Sequence, residues 1–274
     1  MDAETKPNTS SHARRQTRLV IVRANGPLFH SVAAASLLES FAPLYAERVL
    51  HFFRGDQVLC DWIRNEWSPR KLARAKELRE HIETTWPEFD WCAAHEQYRS
   101  AIEQNGGPGP HRATAAHEAL ARCVAAAQSA LFYRALARWA DDVVLRDMAR
   151  VMAQEEALSF AYFRAAFERR ARVERVGFAA AWRTALGCVR AARDTGVRIA
   201  FEAIVAQWGP NTPFPAIDYI EFVRRMKGVV ERQARLGLPE RVLFRPWGRV
   251  PQVAAVQPQQ PVSKWFKPVL GQAA

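Results

Sequence analysis

Between Asn105 and Pro110 the chain reads Asn-Gly-Gly-Pro-Gly-Pro, a run that neither a helix nor a strand interior can carry. On both sides of it apolar residues recur at helical spacing. No stretch alternates apolar and polar residues for long enough to make a half-buried strand. These two facts predict an all-α fold built as two helical halves around a central break.

In the first half, Asn25-Gly26-Pro27 opens a helix expected from about Leu28 to Phe53, with Pro tolerated in its first turn. Pro43 lies inside that run and should kink or break it. A second helical stretch starts near Asp56 and is expected to stop at Ser68-Pro69, where Ser68 can cap a restart running to Thr84. The aromatic turn Trp86–Trp91 leads into a short helix ending near Gln104. In the second half, a long Ala-rich helix is expected over Thr114–Ala140. Asp141-Asp142 forms a turn and N-cap, and another long helix covers Val143–Arg172. Further helices follow near Phe178–Trp208, broken around Asp194–Gly196, and near Ile217–Leu236. Leu19–Val22 reads as one short extended segment. Two long helix pairs predict a four-helix bundle with additional C-terminal helices. The expected boundaries are a disordered tail over 1–18, one helical domain over 19–249 and a disordered Pro- and Gln-rich tail over 250–274. Within the domain the first helix pair is 28–84, the second is 112–172, and the extra helices span 176–236.

At 49% hydrophobic and 24% charged residues, the chain has the composition of a globular protein and not of a wholly disordered one. No apolar run approaches the roughly 20 residues of a bilayer-crossing helix. Met1–Arg18 lacks the apolar middle of a secretory signal. Cys60, Cys92, Cys123 and Cys188 are scattered and form no CxxC pair, which reads as reduced core thiols of a cytoplasmic protein. Of 39 Lys+Arg and 28 Asp+Glu, 20 of each fall in residues 1–159, leaving 19 against 8 in residues 160–274. The basic half accounts for the whole net charge of +11 and points to an acidic partner. Nucleic acid is supported by nothing beyond that charge.

The stretch Ala135–Phe163 contains a helix, the acidic turn Asp141-Asp142, then a helix carrying Glu155-Glu156-x-x-Ser159 and aromatics. It resembles the second helix pair of ferritin-like di-iron proteins, nearest in look to the acyl-carrier-protein desaturase branch. Asn65-Glu66-Trp67-Ser68-Pro69 is the weaker counterpart in the first half. The resemblance covers roughly residues 28–170. It implies a ferritin-like bundle and a centre of two irons held by one Glu from each of two helices and a Glu-x-x-His pair from each of the others. Spacing of three puts that Glu and His on one helical face.

The ligand set is degenerate. Glu66 and Glu156 take the Glu positions, but the His positions hold Pro69 and Ser159. The lone Glu of each pair is expected about 30 to 34 residues earlier, and neither Val32–Ser36 nor Arg122–Ala126 contains a carboxylate. Glu39 precedes Glu66 by 27 residues, and Glu118 precedes Glu156 by 38. The seven histidines are His12, His30, His51, His81, His95, His111 and His117; none lies beyond residue 117, so the helix carrying Glu156 supplies no imidazole. The small residues Ser36, Ala126 and Ser159 occupy vacated positions, where they allow close helix approach or leave a pocket. A buried carboxylate without metal must find a cation, take up a proton or face water.

This pattern implies a non-catalytic binding or regulatory protein without a cofactor, with Glu66 and Glu156 as remnant ligand positions. The Arg cluster Arg164, Arg169, Arg170, Arg172 and Arg175 is the candidate partner-binding surface. An acidic protein such as an acyl carrier protein fits it, and a homodimer is compatible. The competing reading is an active non-haem di-iron oxidoreductase on an acyl or other hydrophobic substrate. That reading needs two Fe held by Glu39, Glu66, Glu118, Glu155 and Glu156. Glu47/His51 and Glu77/His81 stand one turn apart, a spacing common on helix surfaces. Trp62, Trp67, Trp139 and Trp182 fall at core spacing.

Overall fold

A computed structural model describes residues 19–105, 114–194, 196–208 and 212–234, with the side chains of 190–194 and 231–234 excepted. The described residues form helices joined by short turns and loops, with no strand among them. Both expected tails, 1–18 and 250–274, lie outside the described residues, and residues 19–23 form a helical turn. That turn replaces the extended segment expected at Leu19–Val22. Four residues are too few for periodicity to separate a strand from a helical turn.

Helix α1 spans Gly26–Ser40, and Asn25 Oδ1 caps it by accepting from the Leu28 N–H at 3.1 Å. Helix α2, Ala42–Phe52, starts after a single non-helical residue, Phe41. Pro43 dictates that break, because it has no N–H to bond back to the carbonyl of Glu39. A Cβ on Gly26 would lie 2.8 Å from Phe214 Cδ2, so only glycine lets that ring rest on the start of α1.

Helix α3, Gln57–Trp62, passes through a π-helical turn at Ile63–Trp67 directly into α4, Ser68–Thr85. The expected stop at Ser68-Pro69 does not occur. The Ser68 N–H bonds to the Ile63 carbonyl five residues back, and Ser68 has helical angles of −66° and −45° instead of capping a restart. The widened turn accommodates Pro69, which could not have made the ordinary bond to residue 65. It also sets the face on which α4 turns inward, namely Trp67, Lys71, Arg74, Leu78 and Ile82.

Helix α5 is Trp91–Gln104, capped by Asp90. Helix α6 is Ala115–Trp139, capped by Thr114, and α7 is Val143–Val173, capped by Asp142 Oδ1 on the Val144 N–H at 2.8 Å. Helices α6 and α7 lie side by side along their length. Buried Ala116, Ala119, Ala126, Ala130 and Ala137 on α6 permit that approach. Helices α8 (Phe178–Asp194), α9 (Gly196–Ala206) and α10 (Tyr219–Ala234) complete the described structure.

Burial divides the interior into two main apolar cores. One gathers Phe29, Val32 and Leu37 of α1, Leu78 and Ile82 of α4, Leu136 of α6, and Leu145 and Met152 of α7. Phe29 closes it with edge-on contacts to Trp86, Phe89 and Trp208 at centroid distances of 5.1, 5.0 and 4.9 Å. The other gathers Val49, Phe53, Trp62, Ile63 and Trp67 with Ala119 and Cys123 of α6 and Phe163 and Phe167 of α7. Glu39 near the end of α1, Lys71 and Arg74 of α4, and Glu155 and Glu156 of α7 belong to neither core.

Two expectations about buried residues need correcting. Cys92 is exposed while the other three thiols are buried, because it falls on the outer face of α5 beside Arg79. Trp182 is 40% exposed. Helical spacing places it next to the buried flank of α8 but does not say how wide the covering surface is.

Candidate functional site: a buried ion-pair network

Three carboxylates and two cations meet in the layer between the cores. Lys71 of α4 donates from Nζ to Glu39 Oε2 of α1 at 2.8 Å and to Glu156 Oε1 of α7 at 2.9 Å. Arg74, one turn further along α4, donates from Nε to Glu155 Oε2 at 2.6 Å and from Nη1 to Glu156 Oε1. Its Nη1 also lies 3.7 Å from Glu39 Oε1. Tyr133 of α6 completes the set by donating its hydroxyl to Glu39 Oε1 at 2.7 Å. Glu39, Arg74 and Glu156 are each at most 6% exposed. Lys71 retains 15% side-chain exposure and Glu155 27%.

Desolvation alone would neutralise groups this deeply buried. Burial pushes the Glu39 carboxyl up, but the Lys71 ammonium and Arg74 guanidinium outweigh it and hold the group below its ordinary range. For Lys71 the signs invert: burial pushes it down, yet Glu156 and Glu39 leave it raised. Arg74 is raised in the same way, by Glu39 and then Glu156 against burial. Burial and then the neighbouring Glu39 carboxylate push the Tyr133 phenol well up, so it stays a donor. The result is a network in which two cations serve three carboxylates, Glu155 being the partly exposed one, and neither Lys71 nor Tyr133 is a base or nucleophile near neutral pH.

No match to this chain is found among protein-family models, curated proteins or solved structures.

Of the residues singled out by sequence, Glu156 sits at the centre of the network and Glu66 is outside it. The Glu66 carboxylate is 46% exposed and pairs with Arg70 one turn along the helix. Glu118 is a separate buried carboxylate. Arg122 Nε lies 3.0 Å from it, but neither carboxylate oxygen receives an aligned hydrogen bond among the described residues. The five carboxylates of the oxidoreductase reading are thus not gathered at one point. Among the described residues, no group of three or more His, Cys, Asp or Glu side chains is placed to hold a metal ion.

The small residues at the vacated positions are occupied locally. Ser159 donates to its own helix at the Glu155 carbonyl, 3.0 Å away. Ser36 accepts from the Trp91 indole at 2.8 Å, and Ala126 is buried on α6. His81, buried on α4, has Nδ1 3.7 Å from Asp142 Oδ2; burial pushes the imidazole down despite that carboxylate.

The expected Arg surface divides. Arg164 pairs with Glu168 at 2.9 Å and Arg169 with Asp56 at 2.6 Å. Arg170 lies beside Gly55. Arg172 and Arg175 are exposed at the end of α7.

Sequence reasoning missed Lys71, Arg74 and Tyr133. A signal for the first two was present. Lys71-x-x-Arg74 follows Glu39 by 32 residues and shares the apolar spacing of Trp67, Leu78 and Ile82. Cations at core positions of an otherwise apolar face require buried anions opposite them.

Proposed function

We propose that the chain is a ferritin-like helical protein in which an ion-pair network replaces a di-iron centre, and that it acts by binding a partner and not by redox chemistry. The observation that carries this reading is the position of Lys71 and Arg74. They stand three residues apart on α4, as a Glu-x-x-His pair would, with their charged groups directed at Glu39 of α1 and Glu156 of α7. Two fixed positive charges neutralise carboxylates that would otherwise call for a metal. They also repel a cation from the same spot.

The donor set does not fit iron. Glu39 Oε2 and Glu156 Oε1 already accept from Lys71. The network contains no imidazole, and Ser159 offers its hydroxyl to a carbonyl. What remains is a polar clamp that fixes the register of α1, α4, α6 and α7, since every partner must meet to keep its charge compensated. An anionic partner would meet Arg172 and Arg175, the two members of the expected Arg cluster not already engaged within the fold.

Thermal unfolding of the chain with excess Fe(II) under anaerobic conditions, and separately with a strong chelator, tests the reading. It expects the same midpoint in both. A midpoint raised by Fe(II) and lowered by chelator would mean that the native state binds metal, and the reading would be wrong.

A further inference from the structure

We infer that the start of α8, with the adjoining end of α7, is a docking surface for an anionic lipid bilayer. The inference takes up the binding reading above and names a partner for it.

Helix α8 packs on the rest of the protein through Ala181 and Cys188, with Ala185 and Val189 against Ala121 and Val124 of α6. Its apolar arc is wider than that contact. Phe178, Trp182 and Leu186 follow at intervals of four residues, each about 40° round the helix from the last, and carry the apolar surface into solvent. They are 69%, 40% and 39% exposed, and Val173 at the end of α7 is 76% exposed. The Phe178 and Trp182 rings stack on each other, with centroids 6.3 Å apart and 17° between planes. A Cβ on either Gly177 or Gly187 would meet nothing within 4 Å, so the backbone flanking this stripe is open as well.

Basic residues predominate around the stripe, since the one carboxylate among them, Glu174, is turned to the Ala116 N–H at the start of α6 at 3.2 Å. Arg172, Arg175 and Arg183 are exposed, and none has a carboxylate partner among the described residues. From Gly177 to Arg193 the sequence contains no Asp or Glu. Arg175 is held in place by backbone geometry. It is the left-handed residue (φ 51°) that ends α7, where the Val176 N–H bonds to the Ala171 carbonyl at 3.0 Å.

Protruding Phe, Trp and Leu beside unpaired Arg is the chemistry of a helix that lies in a membrane interface, where rings enter the acyl boundary and guanidiniums meet phosphates. The stripe is one helix wide. That is narrow for a stable protein interface, which buries about 800 Å² per partner, and enough for a helix lying on a bilayer. No described helix is long and apolar enough to cross a membrane, so the contact is with the surface.

The test is co-sedimentation of the full chain with phosphatidylcholine vesicles, with and without about a third phosphatidylglycerol, at low and high salt. Partitioning should rise about tenfold or more with the anionic lipid and lose that gain in ~0.5 M salt. Phe178→Ser/Trp182→Ser keeps the net charge and alters only exposed side chains. It should weaken binding to anionic vesicles about tenfold with the circular dichroism unchanged. Arg172→Gln/Arg175→Gln/Arg183→Gln should do the same. Equal binding to both vesicle types, no binding to either, or full binding by the Phe178/Trp182 variant would overturn the inference. So would capture by polyglutamate, lost in both variants, without vesicle binding, since the surface would then serve an acidic protein. None of these readouts involves metal, so this inference and the metal-free reading fail separately.

Discussion

Replacing Lys71 by Met removes the ammonium and keeps most of the apolar stem. Glu39 and Glu156 then lose a donor at 2.8 and 2.9 Å while remaining almost wholly out of water. Removing one member of a buried ion pair typically costs about 3 to 5 kcal/mol, because the remaining charge is left uncompensated. Here Arg74 still reaches Glu156 and Tyr133 still donates to Glu39, so the lower end, about 3 kcal/mol, is expected. With a urea dependence of about 2 kcal/mol per molar, the unfolding midpoint should fall by about 1.5 M. Arg150→Met is the control. Its pair with Asp147 is 61% exposed on both sides, and such pairs contribute at most about 1 kcal/mol. The triple change Glu39→Gln/Lys71→Met/Glu156→Gln should recover much of the loss, since these three charges go together while Arg74 keeps its pair with Glu155. A Lys71→Met midpoint no lower than that of Arg150→Met would refute the claim that the buried Glu39 and Glu156 depend on Lys71 for compensation.

Stability should fall as pH drops below about 6.5. Burial holds His30 and His81 below the ordinary histidine range, so the unfolded chain takes up protons first. A second loss should follow below about 4.3 as Glu39, held low by Lys71 and Arg74 against burial, is protonated. Chemical unfolding across pH 2 to 8 checks both steps, and a flat profile contradicts them. Arg175→Gly should stabilise the protein by about 0.5 to 1 kcal/mol, since φ 51° costs an L-residue and not glycine. A lower thermal midpoint would mean that the Arg175 side chain makes a contact of greater worth than the strain.

Local chemistry made much of the secondary structure legible. Asn25, Thr114 and Asp142 cap the helices they precede, and Pro43 marks the break before α2. Those signals act within a few residues, so sequence alone carries them. The π turn at Ile63–Trp67 was not legible. Ser68-Pro69 has the form of a cap followed by a first-turn proline, and only the packing of Trp62, Ile63 and Trp67 into one core keeps the chain helical there. Glu66 stands on the outward face of that turn, five residues before Lys71, which turns inward. Glu156 was legible as a buried acid needing compensation, but its compensating cation lies 85 residues away. A pairing at that range depends on which helix faces meet. Trp182 shows the same limit: periodicity marks it as apolar-face, and the extent of the neighbouring surface decides that it stays in water.

The metal content of the chain purified from iron-supplemented cells tests the central claim most directly. Lys71 and Arg74 occupying the carboxylates predicts essentially no iron or manganese after desalting, whereas two transition-metal ions per chain would contradict it.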